Sequence, residues 1–312
     1  MFLRDWALDG QQPGGVIPPN FNAIPSIHGP ISTGPSTPLP GNSPNLISGT
    51  GATLDRVYFA YGTGDNGVMQ IADRTKLLPP PWGTGVMCGS ISSTLTPPSC
   101  ATADFTTPEI GRWVMNPING AHTSYPIGKI AIPEFVENEQ GTVRDFVVVT
   151  SEETSNQCGG PRHLTYFVDV TEFLVGTTTV SHPQGQANFQ VPESSGEFCE
   201  RGGRFGPHST QEEFGPPFYQ KLIFIAYFNA GVRAVDVRDP FSPKEVAFFI
   251  PATTANTDYR CTDNTDPTTC KIAIQTNNLA TDDRGYIYIA DRANTGLHIL
   301  QLSGGAKSII AP

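Results

Sequence analysis

The chain has 312 residues and a formal net charge of −10, with only 15% of its residues charged, which disfavours a nonspecific grip on nucleic acid or on an anionic membrane surface. Its 32 Gly and 29 Pro make up about a fifth of the sequence, against roughly an eighth in ordinary proteins, so the chain is interrupted too often for long helices and points to short strands and turns. No apolar run approaches the ~18 residues of a membrane span, and Met1–Asp9 lacks the basic start and apolar stretch of a signal peptide, so neither nucleic acid nor membrane insertion is expected.

In chain order, the proline-rich stretch Gly10–Pro44 reads as a long surface loop and contains His28 beside Gly29 and Pro30. It is followed by a strand Val57–Tyr61, a polar turn from Gly62 to Gly67, and a second strand Val68–Asp73. Aromatic and β-branched residues around a glycine-bearing turn predict an antiparallel hairpin. A second proline-rich stretch, Leu77–Pro98, leads past Cys88 and Cys100 to His122, set between Ala121 and Thr123. Next come Phe146–Thr150 and His163–Asp169, where an insertion carrying Glu152, Glu153 and Cys158 replaces the short turn. Consecutive carboxylates on a loop are expected to be solvated, the rival reading being an acid and base pair or a ligand contact.

Beyond Cys199 lies Arg201-Gly-Gly-Arg204-Phe-Gly-Pro-His208. A flexible glycine pair beside cationic and aromatic groups makes this segment, with Arg204, a candidate for binding an anionic ligand at the channel mouth, although no P-loop, dinucleotide fingerprint or nucleophile elbow is present. The hairpin recurs at Leu222–Phe228 and Val232–Asp236, with a proline-marked corner and an outer strand up to Ile250. It recurs again at Tyr286–Ala290 and Leu297–Leu302. Three copies share Ala near the end of the first strand and Gly before the second, and Asp73, Asp169 and Asp236 recur where side chains fix turns through the backbone.

Repeated small antiparallel sheets that cannot bury both faces alone stack around an axis, so the fold expected is an all-β propeller. It is read as a single domain over residues 1–312, with modules at about 24–75, 118–180, 204–251 and 272–302. Phe2–Leu8 matches the outer strand Glu245–Ile250 without an upstream hairpin. Two explanations stand: an incomplete, C-terminal part of a larger propeller, or a strand that closes the ring against the last module.

The segments Gly231–Val246 (GVRAVDVRDPFSPKEV) and Gly285–Leu300 (GYIYIADRANTGLHIL) resemble the LVIVD-repeat β-propeller proteins of bacteria and archaea. The resemblance covers roughly residues 200–302 and is loose before that. It implies the fold and an exported or cell-surface location (secreted, periplasmic or surface-attached), and it supplies no reaction. Cysteine usage points the same way, because cysteines scattered through polar turns without a CxxC favour disulfides over a zinc site. Sequence-neighbour pairing, Cys88 with Cys100, Cys158 with Cys199 and Cys261 with Cys270, is the simplest of fifteen arrangements.

Three histidines, His28, His122 and His208, stand just before a module's first strand, and Asn277 takes that place in the fourth module. Positions equivalent by repeat converge on one end of a propeller axis. Converging neutral imidazoles suit zinc, copper or iron, whereas the structural reading makes each histidine a backbone-bonded cap of its blade. His163, His182 and His298 fall outside the repeated position. Two functions follow from these readings. One is a noncatalytic scaffold that binds a protein, glycan or small ligand through loops at one end of the ring. The other is a metal-dependent enzyme, an oxidoreductase or hydrolase, with His28, His122 and His208 as ligands.

Overall fold

The structure is a computed structural model and describes residues 27–34, 53–62, 64–77, 108–132 and 142–311. The strand expected at Phe2–Leu8, the pair Cys88 and Cys100, and most of both proline-rich stretches lie outside the described residues.

Four antiparallel sheets are arranged as the blades of a β-propeller. Blade one is β1 (Ile27–Ser32), β2 (Arg56–Tyr61), β3 (Val68–Asp73) and β4 (Glu109–Val114), paired in that order. Blade two runs through β5 (Ala121–Ala131), β6 (Val143–Ser151) and β7 (Thr165–Asp169). A small hairpin of β8 (Glu172–Val175) and β9 (Thr178–Ser181) then intervenes before the outer strand β10 (Gln184–Phe189). Blade three is β11 (Ser209–Thr210), β12 (Leu222–Ala226), β13 (Val232–Asp236) and β14 (Lys244–Phe249). A two-stranded ribbon of β15 (Tyr259–Cys261) and β16 (Cys270–Ile272) precedes the three-stranded fourth blade, β17 (Thr276–Thr281), β18 (Tyr286–Asp291) and β19 (Gly296–Gln301).

The alternation of side chains along a strand explains why the second strand of each blade is almost wholly apolar. On β6, Phe146 and Val148 pack with Ile223, Ile225 and Val235 of blade three, while Val147 and Val149 pack with Tyr58, Ala60 and Ile71 of blade one. On β12 the roles repeat: Ile223 and Ile225 face blade two, and Leu222 and Phe224 face Ile287 and Ile289 of blade four. Burial of each such side chain contributes about 1.5–3 kcal/mol, so the stacked faces hold the blades in register around the axis.

Each hairpin unit read from sequence is therefore the middle pair of a larger blade, with an inner strand before it. That inner strand (β1, β5, β11 or β17) is short or irregular and carries His, Thr, Ser, Asn, Gly and Pro.

Gly231 has φ 76°, and a Cβ there would lie 2.1 Å from the Phe249 carbonyl oxygen, so this hairpin position admits only glycine. In blade one the residue of positive φ nearest the second strand is instead Asn66, and Gly67 is required by close approach, with a Cβ falling 2.5 Å from the Ala121 amide nitrogen. The recurrent aspartates act as expected: Asp73, Asp169 and Asp236 each accept a backbone N–H from two residues onward.

Candidate functional site

His28 lies on β1 opposite Ala60, the His208 N–H donates to the Ala226 carbonyl, and Asn278, next to Asn277, lies opposite Ala290. The alanine shared by three repeats thus lies opposite the axial position in blade one and opposite the next residue in blades three and four. His122 and Asn277 each occupy the extra residue of a register shift, between Ala121 and Thr123 and between Thr276 and Asn278. Such a bulge re-aims one side chain without ending the sheet.

The three imidazoles meet. His28 stacks on His122 with ring centroids 3.9 Å apart, and His122 contacts His208 at 4.0 Å. Glu152 joins them: one ligand atom from each of His28, His122 and Glu152 lies within 4.8 Å of the other two, and His208 Nε2 is 3.7 Å from Glu152 Oε1.

The expectation that Glu152 and Glu153 are solvated is corrected here, since they are only 5% and 3% exposed. The insertion that carries them folds back along residues 203–207 and does not project into solvent. Asn156 bridges to Arg204, the Gln157 N–H donates to the Gly203 carbonyl, and the Glu153 N–H donates to the Pro207 carbonyl. The Cys158–Cys199 disulfide closes the base of this arrangement, and Cys261–Cys270 ties the β15–β16 ribbon.

Arg204 Nη1 donates to Glu152 Oε1 and to the Glu153 carbonyl, both at 3.0 Å. The Glu153 carboxylate points elsewhere, accepting the Ser155 N–H at 2.7 Å. Burial pushes its pKa up to about 7 against the opposing pull of the Ser155 and Thr154 amides. Asn277 serves through its backbone, its carbonyl accepting from His208 Nδ1 at 2.5 Å and from Ser209 Oγ at 2.6 Å. Its side chain turns to Asn278.

Electrostatics keep the three imidazoles neutral. Burial lowers the His122 pKa to about 2, helped by His208, His28 and Arg292. Burial brings His208 down to about 4, against the hydrogen bond to Asn277. His28 is lowered by burial, with Glu152 pulling the other way. At neutral pH all three rings are therefore uncharged and each has one nitrogen lone pair, the form in which imidazole binds a metal.

No protein-family model and no curated protein matches this sequence. Fold and site are thus the grounds on which function rests, and a fold alone does not specify one.

Among histidines outside the repeated position, His163 is buried and shares a hydrogen bond with Ser151 Oγ at 2.7 Å. That contact fixes the insertion's return to β7. Two participants escaped the sequence reading, Phe228 and Arg292. Phe228 is buried against His208 with centroids 5.1 Å apart, and its ring carries the guanidinium groups of Arg204 and Arg292 at 5.5 and 4.6 Å. A signal existed: aligning Ala226 with Ala290 places Phe228 and Arg292 at one repeat position, two residues beyond.

Proposed function

We propose that this chain is a β-propeller that holds a divalent transition metal at its axis, on His28, His122 and His208 with the Glu152 carboxylate, and presents it to a small ligand. The observation that carries the reading is the pairing of His208 with Glu152. Because a carbonyl accepts the Nδ1 proton of His208, its Nε2 carries only a lone pair, and that lone pair stands 3.7 Å from a carboxylate oxygen. Arg204 already donates to that oxygen, but among the described residues the His208 lone pair has no such partner there, and a divalent cation between the two would serve both. Zinc held at about 2.0–2.2 Å by N and O donors sets its ligands some 3.5 Å apart, so the spacing here is within about an ångström of a metal centre.

Three imidazoles and a carboxylate suit zinc, copper or iron. Such an ion supplies Lewis acidity or an activated water and, for copper or iron, a redox couple. The protein's own residues orient the donors: Asn277 fixes the His208 tautomer, Thr123 Oγ1 lies 3.1 Å from His122 Nδ1, and Arg204 holds the Glu152 carboxylate. Membership of the LVIVD-repeat propellers and an exported location belong to the same proposal. Two disulfides are compatible with an extracellular protein, and among the described residues no helix is long and apolar enough to cross a membrane.

The test is a titration of chelator-stripped protein, prepared without a histidine tag, with zinc, copper and cobalt while thermal unfolding is followed. The account expects saturable stabilisation, since an ion at a thousandfold its Kd adds about 4 kcal/mol, and its loss in His208→Ala. Identical unfolding with and without metal, for both proteins, contradicts it and leaves a scaffold for a protein, glycan or small ligand.

A further inference from the structure

Arg292 follows directly on β18, and its backbone N–H donates to the Gln275 carbonyl at 3.1 Å. Its guanidinium lies over the Phe228 ring, whose other neighbours are Arg204 and His208. The side chain remains open to solvent. One ring separates it from the cluster, since the Phe228 centroid is 4.6 Å from this guanidinium and 5.1 Å from the ring centroid of His208.

Among the described residues its guanidinium has no carboxylate within ion-pair distance. Glu152 is held by Arg204, and Asp258 is paired with Arg260. The neighbouring Asp291 turns its oxygens to the Gln275 and Ala293 amides, at 2.6 and 2.7 Å. Partial desolvation and the charges of Arg204 and Arg260, against the pull of Glu152 and Asp291, bring Arg292 down to about 10. An arginine at that value is still charged at neutral pH. Among the described residues, the Arg292 guanidinium is thus a charged group beside the cluster with no carboxylate at ion-pair distance, and a divalent ion would add to the positive charge there.

We infer that the axial centre takes an anionic small ligand, a carboxylate or phosphoryl oxyanion, with Arg292 as its receptor beside the metal. Arginine suits this task because its planar fork offers paired N–H donors to two oxygens of one group. Phe228 holds that fork from one face and leaves its edge for the ligand. The inference rests on the metal reading for the second point of attachment, while Arg292 itself does not depend on it.

The experiment uses tag-free protein loaded with cobalt(II), whose visible absorption reports its ligands, titrated with inorganic phosphate and with acetate, and the metal-free protein titrated with phosphate by calorimetry. A saturable change in the cobalt spectrum is expected. In Arg292→Ala, cobalt affinity should hold and phosphate affinity should fall about tenfold to a hundredfold, the range for losing a hydrogen bond to a charged group, while Arg292→Lys should recover part of it. Cobalt that binds but ignores both anions, or equal phosphate affinity in wild type and Arg292→Ala, overturns the inference. If cobalt does not bind, the metal reading fails by itself. Phosphate bound by the metal-free protein and lost in Arg292→Ala would then still uphold the anion site, and no phosphate binding would overturn it.

Discussion

Asp145 and the axial histidines face one physical problem, ionisable groups withdrawn from water, and meet it in opposite ways. The histidines stay neutral by losing protons. Asp145, 3% exposed on β6, accepts from Thr53 Oγ1 at 2.6 Å through Oδ2, while among the described residues its Oδ1 has no hydrogen-bond partner. Burial raises its pKa from 3.8 to about 6. The folded state therefore holds this proton more tightly than the unfolded chain does. The stability linked to it is fully present below pH ~4 and is lost as pH rises through ~6. The rise corresponds to up to about 3 kcal/mol withheld at neutral pH. Asp145→Asn is expected to stabilise the protein at pH 7.5 and to give no gain at pH 4, read by urea unfolding at both values. An equal effect at the two pH values would contradict this account of Asp145.

At the scale of elements, the insertion between β6 and β7 builds the site, because it carries Glu152 and lies along the irregular segment before β11 that presents Arg204 and His208. The Cys158–Cys199 disulfide, with a sequence separation of 41, pins that insertion to the segment before blade three. Replacing both cysteines by serine is expected to cost about 2–4 kcal/mol of stability and to weaken metal binding together with it. Unchanged metal affinity in the double variant would show that the disulfide does not position Glu152. The hairpins β2–β3, β12–β13 and β18–β19 were legible in the sequence because aromatic and β-branched runs around a turn are a local signal. The inner strands β1, β5, β11 and β17 were not, since their polar, glycine- and proline-bearing residues look like loop until the axis is present. The fate of Glu152 and Glu153 was hidden for a related reason: a loop's burial depends on what it folds against, here residues 203–207, which are distant in sequence.

At the scale of the whole molecule, the blades are held by faces that interlock on both sides of β6 and β12. Phe146 is fully buried between blades two and three, with the Phe241 ring at 5.3 Å. Phe146→Ala is expected to lower stability by about 3–5 kcal/mol in chemical unfolding, and a loss below 1 kcal/mol would show that this interface does not carry the fold. The repeat made the propeller readable, and the repeat's equivalence rule also brought His28, His122 and His208 to one place. It gave no account of Arg292, whose position matters only beside a cluster assembled from three other blades.

The account's central claim is that this cluster is a metal centre. The most direct measurement is elemental analysis of tag-free protein as purified, beside His122→Ala. The account predicts close to one equivalent of zinc, copper or iron in the wild type and a small fraction of that in the variant. Folded wild-type protein that carries none of these metals, and takes up none when they are supplied, would contradict it.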